Sequence, residues 1–260
     1  GLNIPAQIEL IYAAHHDRLL FRWNEKRGLR LWLESTPEIS TLRPMEAGKD
    51  GFYAVAQTTR QLVSLSSQGE INEVLADRIG DQRINRPNDL LVNPSDGSVW
   101  ITDPNYLFRL RKLENQELPG QYVLRYDPIT EQLTAPIKSL QLPNGIAFDR
   151  GGKTLFIGDS RQRKLFRFAV NSDGKLISDT PELVADFPKG LDGVSLDPKD
   201  NLWVAGNEGV SIISQSGKPI AQLRLPERAT SIDFMVDDNG DFHWVAVTTN
   251  KFAYVAKFQF

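Results

Sequence analysis

The chain has 260 residues, 30 Lys plus Arg against 33 Asp plus Glu, a formal charge of −3 and no cysteine. The length supports a full hydrophobic core, in one large domain or in two small ones. The missing cysteines exclude a disulfide framework, a zinc ribbon, a thiolate nucleophile and a thiol redox site, while leaving the compartment open. A slightly acidic chain offers no field to attract phosphates, so neither nucleic acid nor an anionic membrane surface is expected as a partner.

Along the chain, apolar residues mostly alternate or occur in short runs bounded by Gly, Asp, Asn and Pro, which is the strand pattern. Examples are Gly97-Ser-Val-Trp-Ile-Thr-Asp103, Lys153-Thr-Leu-Phe-Ile-Gly-Asp159 and Asn201-Leu-Trp-Val-Ala-Gly206. A polar turn followed by such a run recurs at Asp17-Arg18, Asp50-Gly51, Asp96-Gly97, Gly151-Gly152, Asp200-Asn201 and Asn239-Gly240. A period of roughly 40–50 residues, with about four short strands per unit, is the spacing of a propeller blade. The reading is therefore all-β, a six-bladed β-propeller filling residues 1–260 as a single domain, with a β-sandwich of coincidental spacing as the alternative.

In such a fold the first strand of each blade starts at one mouth of the central channel. Counting back eight residues from each hairpin reaches Glu9, Leu42, Asn88, Asn144, Asp192 and Ile232. Four of these carry side-chain oxygens. Singly, Asn88-Asp89, Asn144-Gly145 and Asp192-Gly193 read as turn residues; their common offset argues for a shared site. Two carboxylates and two carboxamides form an oxygen-only set suited to a hard divalent cation, Ca²⁺ before Mg²⁺. Zinc, copper or iron would call for His or Cys, and none of the three histidines stands at the expected mouth. No nucleophile elbow, His-Glu-x-x-His or phosphate-binding glycine loop is present. The five tryptophans fall mostly in strand runs, where packing between blades is the default role.

Arg86-Pro-Asn-Asp-Leu-Leu-Val92 with Ser95-Asp-Gly-Ser-Val-Trp-Ile-Thr-Asp-Pro-Asn-Tyr106, then Leu142-Pro-Asn-Gly-Ile-Ala-Phe148, then Leu191-Asp-Gly-Val-Ser-Leu-Asp197, together resemble the gluconolactonase and senescence-marker-protein (regucalcin) family. The resemblance covers about residues 60 to 250. It implies a six-bladed propeller with a divalent cation, usually Ca²⁺, in the channel and a small lactone or ester, a sugar lactone foremost, as substrate. It calls for no obligatory protein partner. The family's metal-site residues fall on Asn88, Asn144 and Asp192, its substrate-contacting Arg on Arg86, and a stretch near the substrate on Asp103 and Tyr106. Asp192 is the expected base or metal-bound carboxylate, and Asn88 is expected to contact metal or substrate.

The amino-terminal stretch Ala6-Gln-Ile-Glu-Leu-Ile-Tyr12 departs from the family's Glu-Gly-Pro pattern. If Tyr12 matches the family's aromatic residue, the family Glu falls on Ile8; the offset count instead places Glu9 at the mouth. Because side chains alternate along a strand, that single residue decides whether Glu9 is a ligand. A basic, apolar run at Arg109-Leu-Arg-Lys-Leu113 reads as a lid or as a solvated loop. Two other functions compete with the lactonase reading: a non-catalytic binding propeller, and a related phosphoester or phosphofluoride hydrolase.

Overall fold

The computed structural model describes residues 10–14, 18–24, 27–34, 37–45, 49–106, 116–236 and 242–258. Glu9 and the basic run 109–113 lie outside them. The described regular elements are strands, all pairing with their sequence neighbours in antiparallel fashion. Leu10–Ala14, Leu19–Asn24 and Gly28–Leu33 (β1–β3) form the first sheet, and Ile39–Pro44, Phe52–Ala56, Gln61–Leu65 and Ile71–Ala76 (β4–β7) the second. A short ribbon, Arg78–Ile79 with Gln82–Arg83 (β8–β9), precedes Leu90–Val92, Val99–Asp103, Tyr122–Asp127 and Gln132–Ile137 (β10–β13). Next come Pro143–Phe148, Thr154–Asp159, Lys164–Ala169 and Glu182–Asp186 (β14–β17), then Leu191–Leu196, Leu202–Gly206, Gly209–Ile213 and Pro219–Leu223 (β18–β21). Ala229–Val236, Phe242–Thr249 and Ala253–Lys257 (β22–β24) form the last sheet.

These sheets are arranged as a propeller. The first strands touch in order, β1 to β4, β4 to β10, β10 to β14, β14 to β18 and β18 to β22, so they line a common centre. Burial follows that geometry: β11 and β19 are buried throughout, whereas the outer strands β7 and β21 are largely exposed. The hydrophobic core is divided into layers between consecutive sheets. Trp100 and Val123 meet Ile146 and Leu155, for instance, and Phe156 and Leu165 meet Leu191, Val194 and Val204.

Edge-to-face aromatic pairs, the arrangement favoured by ring quadrupoles, recur across these layers. Trp32 meets Phe52 at 5.9 Å between ring centroids, Trp100 meets Phe148 at 5.8 Å and Trp203 meets Phe234 at 5.2 Å. Trp23 of β2 and Trp244 of β23 meet at 5.5 Å and join the first sheet to the last. All five tryptophans thus serve inter-sheet packing, as their strand context leads one to expect.

The recurrent turns supply the backbone freedom that tight hairpins need. Positive φ is found at Arg18, Gly51, Gly97, Gly152 and Asp200, one in each described turn of the series. Gly145 and Gly193 act differently, through space. A Cβ on Gly145 would lie 2.4 Å from Asp192 O, and one on Gly193 would lie 2.7 Å from Thr230 O and 2.9 Å from Ser231 Cα. Glycine here lets β14, β18 and β22 approach one another at the mouth.

Gly193→Ala should therefore cost about 1–3 kcal/mol in urea unfolding, because the clash is with backbone that cannot rotate away. Gly151→Ala, with nothing nearer than 3.8 Å, should stay within about 0.5 kcal/mol of the parent. Equal stability of the two variants would refute the close-approach account.

Candidate functional site

The mouth residues are placed by a repeated irregularity. Pairing slips between Ile39 and Thr41, between Pro143 and Ile146, between Leu191 and Val194 and between Ala229 and Ser231. Ser40, Asn144, Asp192 and Thr230 each fall inside such a slip, one residue after the position paired with the end of the second strand. A bulge breaks the alternation of faces and re-aims a side chain. Asn88 lies just ahead of β10, where its N–H donates to Thr102 O (2.8 Å). All five residues, with Thr41, Asp89, Tyr106, Ser160 and Arg228, line one polar cavity of about 520 Å³.

The structure thus brings together Asn88, Asn144, Asp192 and Tyr106. It also corrects the eight-residue count in two sheets: the residues at mouth level are Ser40 and Thr230 rather than Leu42 and Ile232. The hairpins β4–β5 and β22–β23 are longer than their counterparts, which moves the true position two residues back. The readable signal was a polar residue two places before a buried aliphatic one, in Ser40-Thr-Leu42, Asn88-Asp-Leu90, Asn144-Gly-Ile146, Asp192-Gly-Val194 and Thr230-Ser-Ile232. Arg228, in the connection before β22, was not singled out by any sequence pattern.

Asn144 is the hub of the hydrogen bonding. Its amide nitrogen lies 2.7 Å from Asp192 Oδ1, 2.9 Å from the Tyr106 hydroxyl and 3.0 Å from Ser160 Oγ. The Tyr106 hydroxyl donates to Ser160 Oγ at 3.0 Å. The other Asp192 oxygen, Oδ2, accepts from Arg228 at 2.8 Å. Burial pushes the Asp192 carboxyl up to about 6, against the pull of Arg228 and the Asn144 hydrogen bond. Burial likewise raises the Tyr106 phenol, which stays protonated across the ordinary pH range. Asp89, in the lining of the same cavity, is raised by burial and opposed chiefly by the charge of Arg43, which itself pairs with Asp233 at 3.5 Å.

Arg86 and Asp103 do not line the cavity. Arg86 is buried and donates to Glu38 Oε1 at 2.5 Å, tying the segment ahead of Asn88 to the start of β4. Asp103 has no exposed surface; its Oδ2 accepts from the Asn85 backbone N–H at 2.7 Å. In this geometry both brace the backbone leading to Asn88. Ser40 Oγ adds a 2.6 Å bond to Asn88 O.

A family model described as SMP-30/Gluconolactonase/LRE-like region matches residues 6–248. The chain belongs to this family. Lactonase drp35 of Staphylococcus epidermidis is 29% identical over 178 residues, which cover 66% of this chain and 51% of that protein. Lactonase drp35 of Staphylococcus aureus is 28% identical over 145 residues, covering 54% and 42%. The chain spans about half the length of these relatives. Among solved structures, a gluconolactonase from Xanthomonas campestris superposes with a TM-score of 0.84 at 24% identity, covering 95% of this chain and 81% of that one. Regucalcin from Agrobacterium tumefaciens, a calcium-binding protein, gives 0.76 at 20% identity, covering 95% and 80%. At these identities the structural likeness bears on the fold.

Asp103 offers a test of the supporting layer. Burial raises its carboxyl from 3.8 to about 7. Between those values the folded chain holds a proton that the unfolded chain has released, so stability falls as pH rises through about 4 to 7 and levels off above. Asp103→Asn, which does not titrate, should therefore gain in melting temperature relative to the parent between pH 5 and pH 8. A difference that does not change with pH would show that Asp103 titrates normally.

Proposed function

We propose that this chain is a six-bladed propeller that hydrolyses a lactone or similar small ester, a sugar lactone foremost, with a divalent cation, Ca²⁺ first among them, held at the channel mouth. The observation that carries this reading is the meeting of Asn88, Asn144 and Asp192, from three separate sheets, in one polar cavity. Membership of the family and the lactonase relatives support it. Four sheets of four strands and two of three, closed by the Trp23–Trp244 contact, support the blade count.

The donor chemistry fits a hard cation. The cavity offers the carboxylates of Asp192 and Asp89, the carboxamides of Asn88 and Asn144 among others, and the hydroxyls of Ser40, Thr41 and Thr230, all oxygen donors. Among the described residues no three His, Cys, Asp or Glu side chains cluster, so neutral oxygens would complete the set around the carboxylates. Glu9, outside the described residues, is the proposed further carboxylate. A bound cation would supply Lewis acidity toward the ester carbonyl.

The chain's own groups provide the rest. Asp192, ionised above about pH 6, is the carboxylate available either to bind the ion or to take a proton from the attacking water. Tyr106, held neutral by burial, is a hydroxyl that can donate to a ligand oxygen. Asn88 presents its side chain to the same space and orients the substrate. Arg86 and Asp103 act from outside the cavity, fixing the backbone on which Asn88 sits.

Ring opening releases acid, so a pH-stat assay over sugar lactones, acyl lactones and aryl esters, with Ca²⁺ and with chelator, tests the proposal directly. Hydrolysis should require the cation and fall by at least about 100-fold in Asp192→Asn. Undiminished turnover in that variant removes Asp192 from the chemistry. Absence of both hydrolysis and Ca²⁺ binding would make the protein a binding module. Turnover confined to phosphoesters would transfer it to the related hydrolase class.

A further inference from the structure

We infer that Arg228 is a tethered competitor of the divalent cation: its guanidinium occupies Asp192, and the ion binds only by displacing it. This rests on the preceding reading that a cation binds at the mouth. The two oxygens of Asp192 are already taken by N–H donors, the charged Arg228 at 2.8 Å on Oδ2 and the neutral Asn144 amide nitrogen at 2.7 Å on Oδ1. A hard cation seeks those same oxygens and repels both N–H donors. The Asn144 amide answers by turning its oxygen inward, since its two ends are nearly the same size. A guanidinium has no acceptor end and must leave.

Departure is open to Arg228. Its side chain is 44% exposed whereas that of Asp192 is 19% exposed, and Arg228 itself lines the cavity. Among the described residues, the other basic side chains that line the cavity are held elsewhere: Lys189 pairs with Glu208, and Arg163 donates to Pro188 O at 2.8 Å. Arg228 is thus the rim cation that shares a carboxylate with the proposed ion. Two consequences follow. Without metal, Arg228 compensates a carboxylate that would otherwise be buried alone. With metal, the same side chain is released into the cavity beside the substrate.

Calorimetric titration of Ca²⁺ into the parent, Arg228→Gln, Arg228→Lys and Lys189→Gln separates the possibilities. Arg228→Gln should bind Ca²⁺ about fivefold to tenfold more tightly than the parent, the scale of a partly exposed ion pair. Arg228→Lys should fall between them. Lys189→Gln removes the same unit of charge from the rim and should leave affinity close to that of the parent. In chelator, Arg228→Gln should melt below the parent, and Ca²⁺ should raise its melting temperature by the larger amount. Equal Ca²⁺ affinity in the parent and Arg228→Gln overturns the competition while leaving the metal site standing. An equal gain in Lys189→Gln overturns it in favour of a general field effect. If neither the parent nor Arg228→Gln binds Ca²⁺, the metal-site reading fails, and the inference with it. Adding Asp192→Asn to Arg228→Gln should abolish the gained affinity; its persistence would place the ion away from Asp192 and refute the proposal.

Discussion

A carboxylate partly withdrawn from water at the mouth of a channel must be met by hydrogen-bond donors, and the surroundings of Asp192 follow from that requirement. Asn144 can reach it because β14 and β18 approach closely, and they approach closely because position 145 carries no Cβ. Arg228 reaches it from the connection ahead of the last sheet, where Gly193 permits the next close contact. Three sheets are thereby coupled at one point through a carboxylate, an amide and a guanidinium. Loss of Asn144 or Arg228 leaves the partly buried Asp192 carboxylate short of a donor.

Beneath this cluster, the propeller divides labour by radius. The middle strands are buried and carry the aliphatic and aromatic layers that hold sheet against sheet. Four inner strands are disturbed where a bulge turns a polar side chain to the axis. Precision at the mouth comes from rigid strands, with a second tier of buried polar contacts behind them. The Arg86–Glu38 pair and the Asp103–Asn85 bond belong to that tier. An ion pair as buried as Arg86–Glu38 contributes little net stability relative to apolar replacements, but it fixes where the chain ahead of Asn88 runs.

Much of this was legible in the sequence, for reasons that also explain the misses. Strand alternation, punctuated by turns at blade spacing, is a repeated signal, so the all-β propeller could be read from it. Asn88, Asn144 and Asp192 were found because the hairpins β10–β11, β14–β15 and β18–β19 are of nearly equal length. Ser40 and Thr230 were missed because longer hairpins break a count made from the turn. Their shared spacing to Leu42 and Ile232 survives that insertion, since it is set by the bulge itself. Arg86 and Asp103 were expected at the ligand through resemblance alone, and a motif does not reveal whether a charged side chain faces a cavity or a neighbouring strand. Arg228 escaped notice because its place depends on how one sheet docks on the next, a relation absent from local pattern.

The contact between Trp23 and Trp244 joins residues more than two hundred positions apart. Each sheet is a local meander, but among the described residues the first sheet meets the last through this contact and the apolar cluster around it. Such long-range closure raises contact order and slows the final folding step. Until those two sheets meet, the apolar flanks of the open arc stay uncovered, and aggregation risk is highest in that interval.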